Sequence, residues 1–267
     1  RNALFVLRNT NSVAGTLSFG APVSLFLNPG EFAFRVSIRD LNYDGKPELI
    51  VSNSFDDPSS DNVISIFVNQ STSGVVKFAA TPIRLTITGA GTTYGLDVQD
   101  LDGDQKPEII LNQFQTNDLF VLRNQSTGQI SFATPQKISF TGFFNNVISG
   151  DVNGDGLLDL LLTSTFDNFL HVLPNQSMQG AIAFGAAQSF STGNQPWGLD
   201  VSDVDGDQDL DVVVACKNAA MLNVFTNSGT GSFTRADIPT SKFTRNIKVG
   251  DFDGDAKPDF AFTALNS

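Results

Sequence analysis

Asp100-Leu-Asp-Gly-Asp-Gln-Lys-Pro-Glu108 is a nine-residue acidic loop between two short apolar runs, and the chain repeats it four more times. The other copies are Asp40-Leu-Asn-Tyr-Asp-Gly-Lys-Pro-Glu48, Asp151-Val-Asn-Gly-Asp-Gly-Leu-Leu-Asp159, Asp203-Val-Asp-Gly-Asp-Gln-Asp-Leu-Asp211 and Asp251-Phe-Asp-Gly-Asp-Ala-Lys-Pro-Asp259. Successive copies begin 60, 51, 52 and 48 residues apart. A motif recurring at this period marks a solenoid or a propeller.

Each period reads as four short strands rich in Val, Ile, Leu and Phe, bounded by Gly, Asn, Asp and Pro turns. In the second unit these are Gly95-Leu-Asp-Val-Gln, Glu108-Ile-Ile-Leu, Leu119-Phe-Val-Leu-Arg and a run from Ile130-Ser-Phe towards Ile138-Ser-Phe. No segment carries a sustained helical period, so the chain reads as all-β. A phenylalanine enters each fourth strand: Phe19, Phe78, Phe132, Phe184 and Phe233. The units are out of phase with the termini, opening on strands 3 and 4 (Leu4 to Leu27) and ending on strands 1 and 2 (Asn246 to Leu265). The expectation is one domain, residues 1–267: a β-propeller of five four-stranded blades. Its ring closes where the N-terminal strands 3–4 pair with the C-terminal strands 1–2, leaving only short edges. A piece of a larger ring is the alternative.

Oxygen-bearing side chains stand at positions 1, 3 and 5 of every loop and a carboxylate at position 9. Ca²⁺ takes 6–8 oxygens at adaptable distances, and this spacing converges when the backbone turns tightly. Position 7 adds a backbone carbonyl. The expected metal residues are therefore Asp40, Asn42, Asp44, Lys46 and Glu48; Asp100, Asp102, Asp104, Lys106 and Glu108; and Asp151, Asn153, Asp155, Leu157 and Asp159. The last two loops give Asp203, Asp205, Asp207, Asp209 and Asp211, then Asp251, Asp253, Asp255, Lys257 and Asp259. Mg²⁺ prefers to keep its waters, and the loops hold no Cys or His for Zn²⁺. Solvated turns rich in Asp, Asn and Gly are the bland alternative; five copies in one phase of a repeat weigh against it.

The loops also explain the charge. Positions 1, 3, 5 and 9 supply 18 of the 28 acidic residues, so five Ca²⁺ ions would bring the formal −12 to −2. An acidic chain is a poor partner for nucleic acid or an anionic membrane surface. No run of about 18 apolar residues exists to span a bilayer. The single cysteine, Cys216, excludes an internal disulfide. It ends the apolar run Val212-Val-Val-Val-Ala and reads as buried and inert. The chain opens directly on the strand-like Arg1-Asn-Ala-Leu-Phe-Val-Leu, with no signal peptide, as a mature, excised or partial product does.

With its five acidic loops and phenylalanine-entered strands, including Ser18-Phe-Gly-Ala-Pro22, the chain resembles the FG-GAP/VCBS-repeat family found also in the integrin α-subunit head. The resemblance covers essentially the whole chain. It implies Ca²⁺ in the loops on one propeller face, an extracellular or cell-surface location, and tasks such as adhesion or lectin-type sugar binding. Glu48 and Glu108 depart from the usual Asp at position 9, and five units depart from the commoner seven.

On the face opposite the loops, six residues upstream of each, stand Phe34, Tyr94, Asn145, Trp197 and Arg245. The connections from strand 2 to strand 3 add Phe55, Asp56 and Asp57, Phe114, and Phe166, Asp167 and Asn168. Aromatic faces beside amides and carboxylates suit a glycan or an extracellular protein; padding of the channel and blade junctions is the alternative. Asn69-Gln-Ser, Asn124-Gln-Ser and Asn175-Gln-Ser match the glycosylation sequon but sit at turns, where turn chemistry explains them. His171, the single histidine, lies in an alternating strand and reads as a packed or edge residue. No Ser/His/Asp or Cys/His set is evident, so a recognition module is expected rather than an enzyme. A structural spacer in a larger assembly comes next, and a polysaccharide lyase or glycosidase last.

Overall fold

The computed structural model describes residues 2–55, 61–90, 93–113, 118–139 and 143–265, and every regular element among them is a strand. The chain opens with β1 (Ala3–Val6) paired to β2 (Val23–Phe26). Four antiparallel meanders follow. Blade 1 holds β3 (Glu31–Arg39), β4 (Glu48–Phe55), β5 (Asp61–Phe67) and β6 (Ile83–Ala90). Blade 2 holds β7 (Thr93–Gln99), β8 (Glu108–Gln113), β9 (Asp118–Leu122) and β10 (Gln136–Ser139). Blade 3 holds β11 (Phe144–Gly150), β12 (Asp159–Ser164), β13 (Phe169–Leu173) and β14 (Gln188–Ser191). Blade 4 holds β15 (Pro196–Ser202), β16 (Asp211–Cys216), β17 (Met221–Asn227) and β18 (Phe233–Pro239). The chain ends on a second two-stranded sheet, β19 (Phe243–Gly250) with β20 (Asp259–Leu265). Among the described residues no helix is long and apolar enough to cross a membrane.

Blades stack face to face, and the central strands explain why their sequences are apolar throughout. Alternate side chains of a strand point to opposite faces, and here both faces are covered. Ile109 and Leu111 enter one core with Leu41, Ile50, Ile64 and Val98 of the blade 1–2 junction. Ile110 points the other way, into a core with Phe144, Val147, Leu160 and Leu162 of blade 3. The Val212-Val-Val run repeats the device: Val212 and Val214 pack with Leu161 and Leu199, while Val213 packs with Ile247 of β19. Each full burial of such a side chain stabilises by roughly 1.5–3 kcal/mol.

The first strands of successive blades, β3, β7, β11, β15 and β19, lie side by side and form a central lining. Carboxylates clip neighbours together across it. Asp97 Oδ2 accepts from Ser149 N and Oγ at 2.9 and 2.6 Å, and Asp200 accepts from Val249 N at 2.9 Å and Lys248 Nζ at 2.8 Å.

One expectation is corrected. The marker phenylalanines do not begin fourth strands in the first four units; Phe19, Phe78, Phe132 and Phe184 each form a single bridge to an asparagine (Asn9, Asn69, Asn124, Asn175). The strand resumes only at Val23, Ile83, Gln136 and Gln188, because the intervening residues turn; Phe233 alone opens its strand, opposite Asn227. At the chain ends, β1–β2 and β19–β20 are separate two-stranded sheets, and among the described residues no ladder joins β20 to β1. β1–β2 packs on blade 1 through Leu25, Leu27, Leu49 and Phe67, whereas β19–β20 packs on blade 4. Apolar side chains stand open at both ends, including Phe5, Phe26, Phe252 and Phe262.

Candidate functional site: acidic loops and the channel mouth

Each acidic loop joins strand 1 to strand 2 and is held by its own backbone amides. In the loop of blade 2, Asp100 accepts from Gly103 N at 2.9 Å and Gln105 N at 2.8 Å. Asp102 accepts from Asp104 N at 3.1 Å, and Asp104 from Lys106 N at 2.8 Å. Glu108 turns back to accept from Leu101 N at 2.8 Å. The same ladder begins at Asp40, Asp151, Asp203 and Asp251. The position-7 residues Lys46, Leu157, Asp209 and Lys257 likewise donate their amides to the position-5 carboxylates of Asp44, Asp155, Asp207 and Asp255.

Positions 4 and 6 both take left-handed backbone in all five loops. Position 6 does so with φ 68° at Gln105, 78° at Gln208 and 66° at Ala256, and position 4 with φ 64° at Tyr43. L-residues adopt this region at a cost of about 1–2 kcal/mol, so the carboxylate ladder overrides local preference at these four positions.

Ligand oxygens of Asp100, Asp102 and Glu108 lie within 4.8 Å of one another, as do those of Asp203, Asp205 and Asp211 and of Asp251, Asp253 and Asp255. Glu108 therefore reaches its cluster despite the longer side chain. Loops 1 and 3 carry Asn42 and Asn153 at position 3, whose amide oxygens accept from Asp44 N and Asp155 N. Position 9 is buried at Glu48, Glu108, Asp159 and Asp211, and half-buried at Asp259 in the open end sheet. Burial, then Asp102 and Asp104, push the Glu108 carboxyl up to about 8. Tyr43 is pushed up to about 12, by burial and then by the carboxylates of the neighbouring loop. A clustered, acidic, all-oxygen donor set fits a hard dication such as Ca²⁺.

Six residues upstream, about 20 Å along the strand, the opposite end of every first strand is bulged. Pairing shifts between Ala33 and Arg35, Thr93 and Gly95, Phe144 and Asn146, Pro196 and Gly198, and Thr244 and Ile247. The residue expelled from the ladder is Phe34, Tyr94, Asn145 or Trp197, and in β19 Arg245 with Asn246. A bulge re-aims its side chain, and four of the five meet. Phe34 and Tyr94 contact edge to face at 5.0 Å, Tyr94 and Trp197 at 6.2 Å, and the Arg245 guanidinium lies 4.6 Å from the Trp197 ring centre. Glycine follows two bulges because adjacent first strands touch there: a Cβ on Gly198 would stand 2.7 Å from the Arg245 carbonyl oxygen.

Asn145 is a correction. It is fully buried, and its Nδ2 donates to the Pro196 carbonyl at 3.3 Å, so it braces blades 3 and 4 instead of facing the mouth. Phe166 is 64 % exposed and rests on Phe143 at 4.5 Å. Asn168 orders the turn through Gln195 N. Phe114, Asp56 and Asp57 lie outside the described residues, as does the side chain of Phe55. Two cations were missed from the sequence. Lys217 Nζ lies 4.8 Å from the Trp197 ring centre, and Arg35 lies 5.7 Å from that of Phe34 with its Nε donating to the Tyr94 carbonyl. Arg35 directly follows the bulge at Phe34 and Lys217 opens a 2→3 turn, positions that a search by repeat register alone passes over.

His171 is packed, as expected, but with partners that the sequence did not reveal. Ser189 stands opposite it in the β13–β14 register, with Oγ 2.9 Å from Nδ1, and an Asp167 carboxylate oxygen lies 3.5 Å from Nε2. One Ser, one His and one Asp thus do meet. The ring is packed against Phe144 and Phe169 and is 8 % exposed, and burial holds it below its ordinary pKa despite Asp167. Cys216 is buried, its thiol pushed up to about 12 by burial. Asn124 and Asn175 are buried and donate Nδ2 to main-chain carbonyls, so these two sequons serve turn and inter-blade bonding.

Stacked four-stranded meanders with acidic loops at one end define a propeller-like repeat protein. The model of the FG-GAP-like repeat matches residues 40–111, 100–162, 151–214 and 203–262, each match opening on an acidic loop, and the chain belongs to this family. By sequence, no curated protein matches it. In structure it is similar to BBS1N, solved in complex with ARL6DN, at 13 % identity and TM-score 0.58, over 97 % of this chain and 75 % of that one. It is similar to the rhamnogalacturonan lyase YesW at 15 % identity and TM-score 0.52, over 94 % of this chain and 62 % of that one. A Bacillus licheniformis rhamnogalacturonan lyase gives 15 %, 0.51 and the same coverages. At such identities the likeness is one of fold.

Proposed function

We propose that the chain is a calcium-stabilised recognition module of extracellular or cell-surface type, binding a glycan or protein on the face opposite its acidic loops, and not an enzyme. The observation that carries this reading is the gathering of Phe34, Tyr94, Trp197 and Arg245 at one mouth by a repeated bulge. Bulges weaken a ladder; their recurrence at a register that carries a different side chain in every unit fits selection for what that side chain meets. Up to five Ca²⁺ ions would be held by positions 1, 3, 5 and 9, with the position-7 carbonyl. Bound, the metal supplies positive charge that offsets carboxylate repulsion and ties strand 1 to strand 2.

The same reading closes the ring with a fifth blade of β19, β20, β1 and β2. Support comes from position 2 of the loops. Leu41, Leu101 and Val152 are each 0–1 % exposed beneath the next blade, whereas Phe252 is 65 % exposed. Phe5 and Phe262, on the two strands that would pair, are 65 % and 40 % exposed. A structural spacer in a larger assembly is the second reading, favoured by the same open apolar ends. Among proteins of this fold, BBS1N is solved with a protein partner and the lyases bear the name of a polysaccharide, so both ligand classes have precedent.

The double variant Trp197→Ala/Tyr94→Ala separates recognition from padding. Lost binding at unchanged melting temperature supports recognition; lost stability with binding retained by the folded fraction contradicts it.

A further inference from the structure

The channel mouth is cationic in a chain whose net charge is −12. Arg35, Lys217 and Arg245 gather there, and among the described residues none of them makes an ion pair. Each lies over an aromatic ring. Burial, and then the charge of Arg245, hold the Arg35 guanidinium below its ordinary range. Like charges gathered in a half-buried site are stabilised by an anion placed among them.

The cations also change what Trp197 does. With Lys217 at 4.8 Å and Arg245 at 4.6 Å from its ring centre, the indole holds two cations in place and is not a bare platform for a sugar. Of the joined rings, Phe34 keeps apolar surface for a ligand, being 41 % exposed.

We propose that the mouth is an anion-selective saccharide site, in which Arg245, Lys217 and Arg35 bind the carboxylate of a uronate residue while Phe34 meets the C–H face of its ring. This rests on the recognition reading and names its ligand class. A uronate carries its carboxylate directly on a rigid ring with an apolar face, so charge and apolar contact lie close together, as Arg35 and the Phe34 ring do at 5.7 Å. An Asp or Glu side chain places its carboxylate on a flexible stem next to polar backbone, loses more freedom on binding, and presents no such face.

The test is calorimetric titration in saturating Ca²⁺ with three probes. They are a hexasaccharide alternating glucuronate and N-acetylglucosamine, the same hexasaccharide with its carboxylates reduced to hydroxymethyl groups, and hexaglutamate. The acidic saccharide is expected to bind, to weaken as NaCl is raised, and to bind at least tenfold more tightly than its reduced form. Arg245→Gln is expected to lose about tenfold of that affinity at unchanged melting temperature, as loss of one charge-assisted contact does. Lys217→Gln carries the same expectation and serves if Arg245→Gln fails to fold. Equal binding of the acidic and reduced saccharides overturns the anion site and leaves the recognition reading standing. Binding of hexaglutamate alone overturns it in favour of an acidic peptide. Silence from all three probes also overturns it, and the recognition reading then stands or falls on a broad glycan and protein screen.

Discussion

Asn124 Nδ2 donates to the carbonyl oxygen of Leu41 at 3.0 Å, joining the end of strand 3 in blade 2 to the acidic loop of blade 1 across 83 residues of sequence. Asn175 repeats the bond to Leu101 at 2.8 Å and Asn227 to Val152 at 2.7 Å. The backbone amides of the same three asparagines donate to Glu108, Asp159 and Asp211 at position 9. One residue type thus couples each loop's last carboxylate to the previous blade's loop.

Replacing Asn175 by Ala leaves the buried carbonyl of Leu101 and the half-buried one of Leu158 without this donor. An unsatisfied buried acceptor costs about 1–3 kcal/mol, so urea unfolding is expected to show a loss of about 2–3 kcal/mol. A loss under 0.5 kcal/mol would mean that water replaces the amide freely.

Because the loops hold both strands and blades, removing Ca²⁺ is expected to lower the melting temperature. A ligand at a hundredfold its Kd stabilises by about 2.7 kcal/mol per site. Asp205→Ala, which takes a carboxylate from the blade 4 cluster, is expected to reduce the calcium-dependent part of the stability and leave four loops responsive. An unfolding curve that EGTA leaves unmoved would refute the metal assignment.

Gln208 holds φ at 78°, a conformation that favours glycine. Gln208→Gly relieves about 1–2 kcal/mol of left-handed strain and restores about 0.5–1 kcal/mol of unfolded-state freedom. A net gain of roughly 0.5–1 kcal/mol is expected in thermal unfolding, and a net loss would mean that the glutamine side chain contributes contacts of its own.

The pH response should carry a histidine component. Burial lowers His171 below its ordinary 6.5, with Asp167 opposing, so the folded state releases this proton more readily than the unfolded state. Between the folded pKa and 6.5 the unfolded chain binds more protons, and stability therefore rises with pH and falls on acidification below about 6.5. Comparing His171→Gln with the parent in saturating Ca²⁺ isolates this slope from the loop carboxylates. Parallel stability profiles for the two proteins between pH 5 and 7.5 would contradict it.

The acidic loops were legible because their ligands are contiguous in sequence, and nine residues carry the whole pattern. Four-stranded units were legible for a similar reason, since Val212-Val-Val-Val or Glu108-Ile-Ile-Leu bounded by turns admits few other readings. What stayed hidden depends on partners distant in sequence. The bulges at Tyr94 and Trp197 are offsets between two strands, and neither strand shows them alone. The burial of Asn145 comes from Pro196 in the next blade. Asn124 and Asn175 read as turn residues, and only the fold brings the Leu41 and Leu101 carbonyls to their side-chain amides. Left-handed backbone at Gln105 and Ala256 escapes a search for glycine, because the neighbouring carboxylates impose it. The fourth strands were misplaced because Phe78 and Phe132 are strand-like residues that make one bridge and then turn away.

The most direct measurement of the central claim is a broad glycan-array screen in millimolar Ca²⁺, repeated in EGTA and with the Trp197→Ala/Tyr94→Ala variant. Calcium-dependent binding to one coherent sugar family, lost in the variant while its melting temperature holds, is the predicted result. Binding that survives loss of both aromatic residues, or no binding with Ca²⁺ present, would contradict a glycan-recognising mouth and leave this propeller-like chain to a protein partner or a structural role.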